Sequence, residues 1–164
     1  MPAVSNTSPL LNLAIIGEVD LLRAQFGELW IPPAVLDELR LDSELPGVQA
    51  LREVFDAGWV HIAPVNNQPF VQVLRQDLDA GEAEAMVLAT ELPLSHILLD
   101  ERQGRRIARA LGLTVTGILG VLLRARLAGE LASLRDAITA LRDEAGFWIA
   151  PALEAEILRA GGEG

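Results

Sequence analysis

The sequence contains no cysteine, no lysine and no tyrosine among its 164 residues. Without cysteine the chain forms no disulfide and no thiolate metal site, and its two histidines alone do not make a typical zinc site. Any metal would therefore be held by carboxylates. All thirteen basic residues are arginine. The planar guanidinium suits phosphate recognition, but a coding bias towards arginine explains the same composition.

Long apolar runs are also missing, and none approaches the ~18–20 residues that span a bilayer. Polar residues interrupt the first segment at Asn6, Ser8 and Asn12, which is unlike a signal peptide. We therefore expect a cytoplasmic protein that does not bind membranes. The net charge of −10 argues against a broad, nonspecific nucleic-acid surface, which is usually basic. Three tryptophans and four phenylalanines leave little material for base-stacking platforms.

Short apolar segments alternate with amphipathic ones along the first four-fifths of the chain. This alternation predicts an α/β fold, with a mainly parallel sheet between two helix layers. After residue 131 the pattern is helical only. We therefore expect one domain over residues 1–130 and a C-terminal helical extension over residues 131–164, packed on the same domain. Apolar residues 147–149 in this extension either cover the chain's own core or contact a second subunit.

Four polar side chains each follow an apolar, strand-like run or open a helix. They are Asn6, Glu38, Glu84 and Asp100. Because the carboxyl ends of parallel strands meet at one edge of a sheet, we expect these side chains to gather there. Carboxylates repel one another unless a cation neutralises them, and hard oxygen ligands suit Mg²⁺ or Mn²⁺. The pattern predicts a divalent-metal site.

Each of these residues also has an ordinary structural explanation. Asp100 can be the N-cap of the helix that it opens. Glu38 lies in the first turns of its predicted helix, where negative charge favours the helix dipole. Asn6 can be a turn residue that bonds to local backbone. Just after it, Ser8 and Pro9 predict a helix start with Ser8 as N-cap.

A run of arginines follows Asp100 at helical spacings of three and four, and places positive charge on one side of the helix. The run consists of Arg102, Arg105, Arg106 and Arg109. Such a stripe can hold an RNA backbone. The alternative is a solvated face with a surface ion pair from Glu101 to Arg105, worth only tenths of a kcal/mol.

Four short motifs resemble the PIN-domain family, in particular its toxin-like prokaryotic branch. They are VSNTSPL at 4–10, IPPAVLDEL at 31–39, EAMVLAT at 84–90 and LLD at 98–100. The resemblance in element order runs to about Arg126. The tail, with GFW at 146–148 and GE at 162–163, resembles an extension found in one subgroup of the family. The resemblance implies a three-layer α/β/α fold.

The resemblance also implies a metal-dependent ribonuclease, with Mg²⁺ or Mn²⁺ as cofactor and RNA as substrate. Glu38, Glu84 and Asp100 would hold the metal, with Glu82 replacing Glu84 if the register is displaced by two. Asn6 would coordinate weakly or orient a water. Thr7 and Ser8 would donate hydrogen bonds to the metal ligands. The resemblance also implies that the chain forms a homodimer. If the protein is the toxin of a toxin–antitoxin pair, it also implies an antitoxin protein as partner.

Asn6 departs from the family pattern, which has aspartate at this position. Losing one carboxylate removes a charge that attracts the metal, so the site either shifts towards Mn²⁺ or loses activity. A catalytically weakened binding module, acting through protein or RNA contacts, is therefore the alternative to a nuclease. A nucleotide-binding protein is disfavoured because Gly117 to Gly120 forms neither a dinucleotide-binding glycine motif nor a phosphate-binding loop.

Overall fold

The computed structural model describes residues 1–164 and contains five strands and ten helices. The elements are β1 (Ala3–Ser5), α1 (Thr7–Ile15), α2 (Asp20–Phe26), β2 (Leu29–Ile31), α3 (Pro33–Leu39), α4 (Val48–Ala57), β3 (Val60–Ile62), α5 (Gln68–Leu74), α6 (Ala80–Glu91), β4 (His96–Leu98), α7 (Arg102–Ala110), β5 (Thr114–Thr116), α8 (Ile118–Leu127), α9 (Leu134–Ala145) and α10 (Pro151–Ala160). No helix is both long enough and apolar enough to cross a membrane.

The five strands form one parallel sheet in the order β3-β2-β1-β4-β5. Strand β1 is central and pairs with β2 and β4. The order reverses on either side of β1, so the chain crosses from the β2–β3 half to the β4–β5 half. In open parallel sheets such a switch point lies beside a crevice at the strands' carboxyl ends.

Alternate strand residues pack on opposite faces of the sheet, as the period of two in a strand requires. On β4, Ile97 belongs to one apolar cluster and Leu98 to the other. The larger cluster contains 28 buried residues, from α1 to α4 and from α8 onwards; the smaller contains 16, mainly from α5 to α7 and the segments beside them. Helices therefore cover both faces, and the predicted three-layer α/β/α architecture is confirmed.

The helices after residue 131 pack onto the larger core. Ile138 and Leu141 of α9 are fully buried there, and Leu158 of α10 is 5% exposed. The segment between these helices, residues 146–150, forms no strand. Ile149 is buried and Phe147 packs against the same core. The division of the chain at residue 130 stays a prediction.

The start of α1 differs from the prediction. The helix begins at Thr7, with Asn6 at the N-cap position in an extended conformation, so Ser8 is not the cap. The Ser8 hydroxyl instead accepts a hydrogen bond from the Asn12 side chain one turn later, at 3.1 Å. Proline is tolerated anywhere in the first turn, because those backbone N–H groups have no partner inside the helix. Pro9 therefore did not fix the first residue of the helix.

Candidate active site at the carboxyl edge of the sheet

Asn6 directly follows the central strand, and its side chain is 5% exposed. The backbone N–H of Asn6 donates to the Leu98 carbonyl at 3.0 Å, which fixes its position between β1 and β4. The side chain forms no capping hydrogen bond to α1, and its Oδ1 atom is buried without a partner. A buried amide oxygen without a partner costs free energy. The predicted role as a turn residue that bonds local backbone is therefore wrong for the side chain.

Asp100 lies two residues beyond β4 and caps a different helix from the one expected. Its Oδ1 atom accepts the Ile118 N–H at the start of α8, at 2.8 Å, whereas the N-cap of α7 is Glu101. The other carboxylate oxygen, Oδ2, is buried without a partner. Burial raises the pKa of Asp100 to about 6, even though the Ile118 N–H and the charge of Arg105 act in the opposite direction.

Glu38 lies in the last turn of α3, not in its first turns, because the helix ends after seven residues. The helix dipole therefore does not favour its charge. Its carboxylate joins the starts of two other helices. Oε2 accepts the Thr7 hydroxyl of α1 at 2.5 Å, and Oε1 accepts the Gly81 N–H of α6 at 3.1 Å. The predicted hydrogen bond from Thr7 to an acidic residue is thus present, while Ser8 makes none.

Glu82 and Glu84 point in different directions from the first turns of α6. Glu84 Oε1 accepts the Ala34 N–H at the start of α3, at 3.1 Å, and so satisfies a free helix-terminal donor. Glu82 is 6% exposed, and its Oε2 atom is buried without a partner. Burial, with the hydrogen bond and charge of Asp79, raises the pKa of Glu82 to about 7. The two glutamates therefore differ in how much of their bonding capacity is free.

A glycine lies against each of three acidic side chains, with no room for a methyl group between them. A Cβ atom at the glycine would lie 2.6 Å, 2.7 Å or 2.8 Å from a carboxylate oxygen. The pairs are Glu38 with Gly81, Glu82 with Gly104, and Asp100 with Gly117. Sequence reasoning missed this relationship. Its one local signal is Gly104, a glycine inside a helix, where alanine would normally be more stable.

The arginine run divides into two groups. Arg102 and Arg105 line a groove of about 510 Å³ that also contains Asp100, whereas Arg106 and Arg109 are exposed outside it. The ion pair from Glu101 to Arg105 is not formed, since the four ion pairs of the chain involve other residues. Two further groove residues are Arg124, which was not identified from the sequence, and Trp148, which was expected to cover the core or contact a second subunit. They come from α8 and the tail, far along the chain from Asp100.

The oxygens at this edge partly meet the requirements of a metal site. As the side chains stand, no three carboxylates or imidazoles are grouped to hold a metal ion. Glu38 and Glu84 are engaged with backbone and hydroxyl donors. Asn6, Glu82 and Asp100 each keep one buried oxygen without a partner. All three are hard donors of the kind that Mg²⁺ and Mn²⁺ prefer, so the donor set fits such a cation in its chemistry.

The two histidines do not belong to this edge. His96 is the first residue of β4 and bonds to Thr116 at 2.6 Å. His61 lies beside Glu28 at 3.1 Å. An imidazole base is therefore not part of the candidate site, and any proton transfer there depends on carboxylates and water.

Comparison with known families identifies the fold. A PIN-domain family model matches residues 2–163, nearly the whole chain. The chain belongs to the PIN-domain family. No curated protein sequence matches it. The PIN match includes the helices after residue 131, so these are part of the matched family region. A PIN domain has a nuclease-like fold, and PIN domains generally use divalent metals.

Proposed function

We propose that this PIN domain is a divalent-metal-dependent endoribonuclease. The observation that carries the proposal is the set of three buried side-chain oxygens without partners, on Asn6, Glu82 and Asp100. Two of these residues follow the adjacent strands β1 and β4, and Glu82 lies against Gly104 in the first turn of α7. A carboxyl that is buried without a counterion is unfavourable, and a bound cation removes that cost.

The residues at this edge have distinct proposed roles. Asp100 and Glu82 hold the ion through their free carboxylate oxygens, and Asn6 coordinates through its uncharged amide oxygen or orients a water. Glu38 is a further ligand, oriented by the Thr7 hydroxyl and the Gly81 N–H. A Mg²⁺ or Mn²⁺ ion held by these residues would supply an activated water and would offset negative charge on the phosphate during hydrolysis.

Glu84 has a supporting role in this proposal. Its hydrogen bond to Ala34 joins α6 to α3, and the bond from Gly81 to Glu38 joins the same two helices in the other direction. Glu84 therefore fixes the helix that carries Glu38. The contacts favour Glu82 over Glu84 as the third acidic ligand, in the register two residues earlier than the motif alone indicated.

Calorimetric titration with Mn²⁺ and Mg²⁺ tests the metal site. We expect saturable binding in the wild type, loss of binding in Asp100→Asn, and no change in Glu130→Gln, which removes an exposed carboxylate outside the site. Cleavage of single-stranded RNA in Mn²⁺ should show the same dependence. A folded wild-type protein that binds neither ion contradicts the proposal.

A second candidate function is a PIN-domain binding module without catalysis. It is favoured by the uncharged Asn6 and by the absence of three grouped carboxylates or imidazoles. The module would act through RNA or protein contacts. RNA binding that persists in EDTA, together with no cleavage in Mn²⁺, would select this function over the nuclease.

The oligomeric state and the biological partner are proposed from family resemblance alone. We propose a homodimer and, if the nuclease is a toxin, a small antitoxin protein encoded by a neighbouring gene. Analytical ultracentrifugation of the isolated chain tests the dimer. Coexpression with the product of the adjacent gene tests the antitoxin, and relief of growth inhibition is the expected result.

A further inference from the structure

A groove beside Asp100 joins the sheet edge to the C-terminal extension. Its walls are the first turns of α7, the turn from β5 into α8, and residues 147–157. Its volume of about 510 Å³ lies within the roughly 300–1,000 Å³ typical of ligand clefts. Because Asp100 is one of the lining residues, any molecule in the groove contacts the candidate active site.

Three arginines line this groove, and none forms an ion pair or a side-chain hydrogen bond. Arg102, Arg105 and Arg124 take part in none of the four ion pairs, and their side chains donate no hydrogen bond within the chain. The Nε atom of Arg105 is buried and unpaired. In a chain with a net charge of −10, three guanidiniums against the single carboxylate of Asp100 are a local reversal of sign. They suit an anionic ligand, and a phosphate in particular.

An exposed tryptophan completes the groove. Trp148 is 79% exposed, although its neighbour Ile149 is 5% exposed and Phe147 packs against the core. The Phe147 N–H also donates to the Leu141 carbonyl at 3.0 Å, which anchors the segment to the end of α9. The backbone that carries Trp148 is therefore held in place. The other two tryptophans are used internally, since Trp59 is buried and Trp30 lies against His61.

We propose that this groove is a nucleotide subsite for single-stranded RNA, with a base stacked on Trp148 and a phosphate bound by Arg102, Arg105 and Arg124. The inference rests on the proposed ribonuclease function. It adds the binding subsite that positions the RNA strand beside Asp100. Stacking on an exposed indole needs an unpaired base with a free face, so the subsite takes single strands and rejects duplex.

Charge favours RNA over a peptide as the occupant. An apolar peptide segment would use the aliphatic residues of the groove, such as Leu153 and Ile157, but would leave the groove's excess of arginine charge without counterions. A nucleotide uses both features at once, because its base is flat and apolar and its phosphate is anionic.

Binding in EDTA tests the subsite separately from catalysis. The probes are a fluorescently labelled single-stranded oligoribonucleotide and an abasic strand of the same length, both followed by anisotropy. We expect Trp148→Ala to weaken binding of the oligoribonucleotide about tenfold and to leave the abasic strand unchanged. Trp148→Phe should retain most of the affinity. Arg124→Ala should weaken both probes and lower the salt dependence by about one counterion.

Arg75→Ala is the matched control, because Arg75 is exposed and lies outside the groove. Its affinity should equal that of the wild type, and thermal unfolding should show that Trp148→Ala remains folded. Equal affinity of Trp148→Ala and wild type for the oligoribonucleotide would overturn the subsite, and so would a preference for duplex. Binding that depends on Trp148, without cleavage in Mn²⁺, keeps the subsite and rejects the nuclease. RNA cleavage that Trp148→Ala does not affect would keep the nuclease and reject the subsite.

Discussion

The Glu82 carboxylate lies against Gly104, where an added Cβ atom would be 2.7 Å from Oε2. The two residues belong to α6 and α7, which precede and follow strand β4. Gly104 therefore makes room for the buried carboxylate of Glu82. A helix-interior glycine is normally destabilising, so its presence here is explained by the carboxylate that it accommodates.

Replacing Gly104 with alanine tests this contact. Alanine in a helix interior is usually favourable by up to about 1 kcal/mol relative to glycine. Here we expect a net loss of about 1–2 kcal/mol in the free energy of unfolding, because the methyl group collides with the carboxylate. In a Glu82→Ala background the same substitution should be neutral or stabilising. The wild type, the two single variants and the double variant form a double-mutant cycle. Urea denaturation of these four proteins measures the coupling energy between residues 82 and 104. An equal effect of Gly104→Ala in both backgrounds would contradict the contact.

Glutamine substitutions at Glu82 and Glu84 should separate the two glutamates. We expect Glu82→Gln to weaken Mn²⁺ binding at least tenfold, because Glu82 holds a free buried oxygen. Glu84→Gln should change metal affinity less and lower the free energy of unfolding by about 1 kcal/mol, because the Ala34 N–H loses a charged acceptor. Calorimetry and denaturation of both variants measure the two effects. If Glu84→Gln weakened Mn²⁺ binding more than Glu82→Gln, Glu84 rather than Glu82 would be the metal ligand.

Replacing Asn6 with aspartate should strengthen metal binding. The substitution adds a charge at a buried position next to strand β4 while keeping the shape of the side chain. We expect a gain of at least tenfold in Mn²⁺ affinity and faster RNA cleavage. In the absence of metal the variant should be less stable, because it adds a third buried carboxylate to Glu82 and Asp100. Calorimetry measures the expected gain in Mn²⁺ affinity, and thermal unfolding with and without Mn²⁺ measures the expected loss of stability in the metal-free protein. An unchanged affinity for Mn²⁺ would place Asn6 outside the metal site.

His96 gives a dependence of stability on pH that is separate from the acidic residues. Burial lowers the pKa of His96 below 6.5, and the charges of Arg124 and the N-terminus act in the same direction. The unfolded chain therefore binds a proton first as the pH falls. The contribution of neutral His96 to stability is complete above pH 6.5 and is lost as the pH falls towards the lowered pKa.

Comparison with His96→Gln measures this contribution. At pH 8 we expect the variant to be less stable by about 1 kcal/mol, since the bond to Thr116 and the edge-to-face contact with Phe26 are changed. The difference between the two proteins should shrink as the pH falls below 6.5. Carboxylates that titrate in this range are shared by both proteins and cancel in the difference. Parallel stability curves would contradict the assignment.

Local sequence was sufficient for the order of the strands and helices. Apolar segments such as residues 97–99 are too short and too continuously apolar for an exposed helix, and glycines or prolines bound them. The three-layer fold follows, because alternating strands and helices form a parallel sheet that must be covered on both faces. The motifs around Asn6, Glu38 and Asp100 were enough to indicate the family, since each is a short run of consecutive residues.

Only the tertiary structure decided what each acid contacts. Asp100 caps α8 rather than its own helix, and Glu84 rather than Glu82 is used at the start of α3. The contacts between the glycines and the acids, and the groove that joins Trp148 to Asp100, also depend on the tertiary structure. The physical reason is that these contacts join residues distant along the chain, and their geometry depends on how helices pack across the sheet. Periodicity and capping preferences describe only neighbours within a few residues.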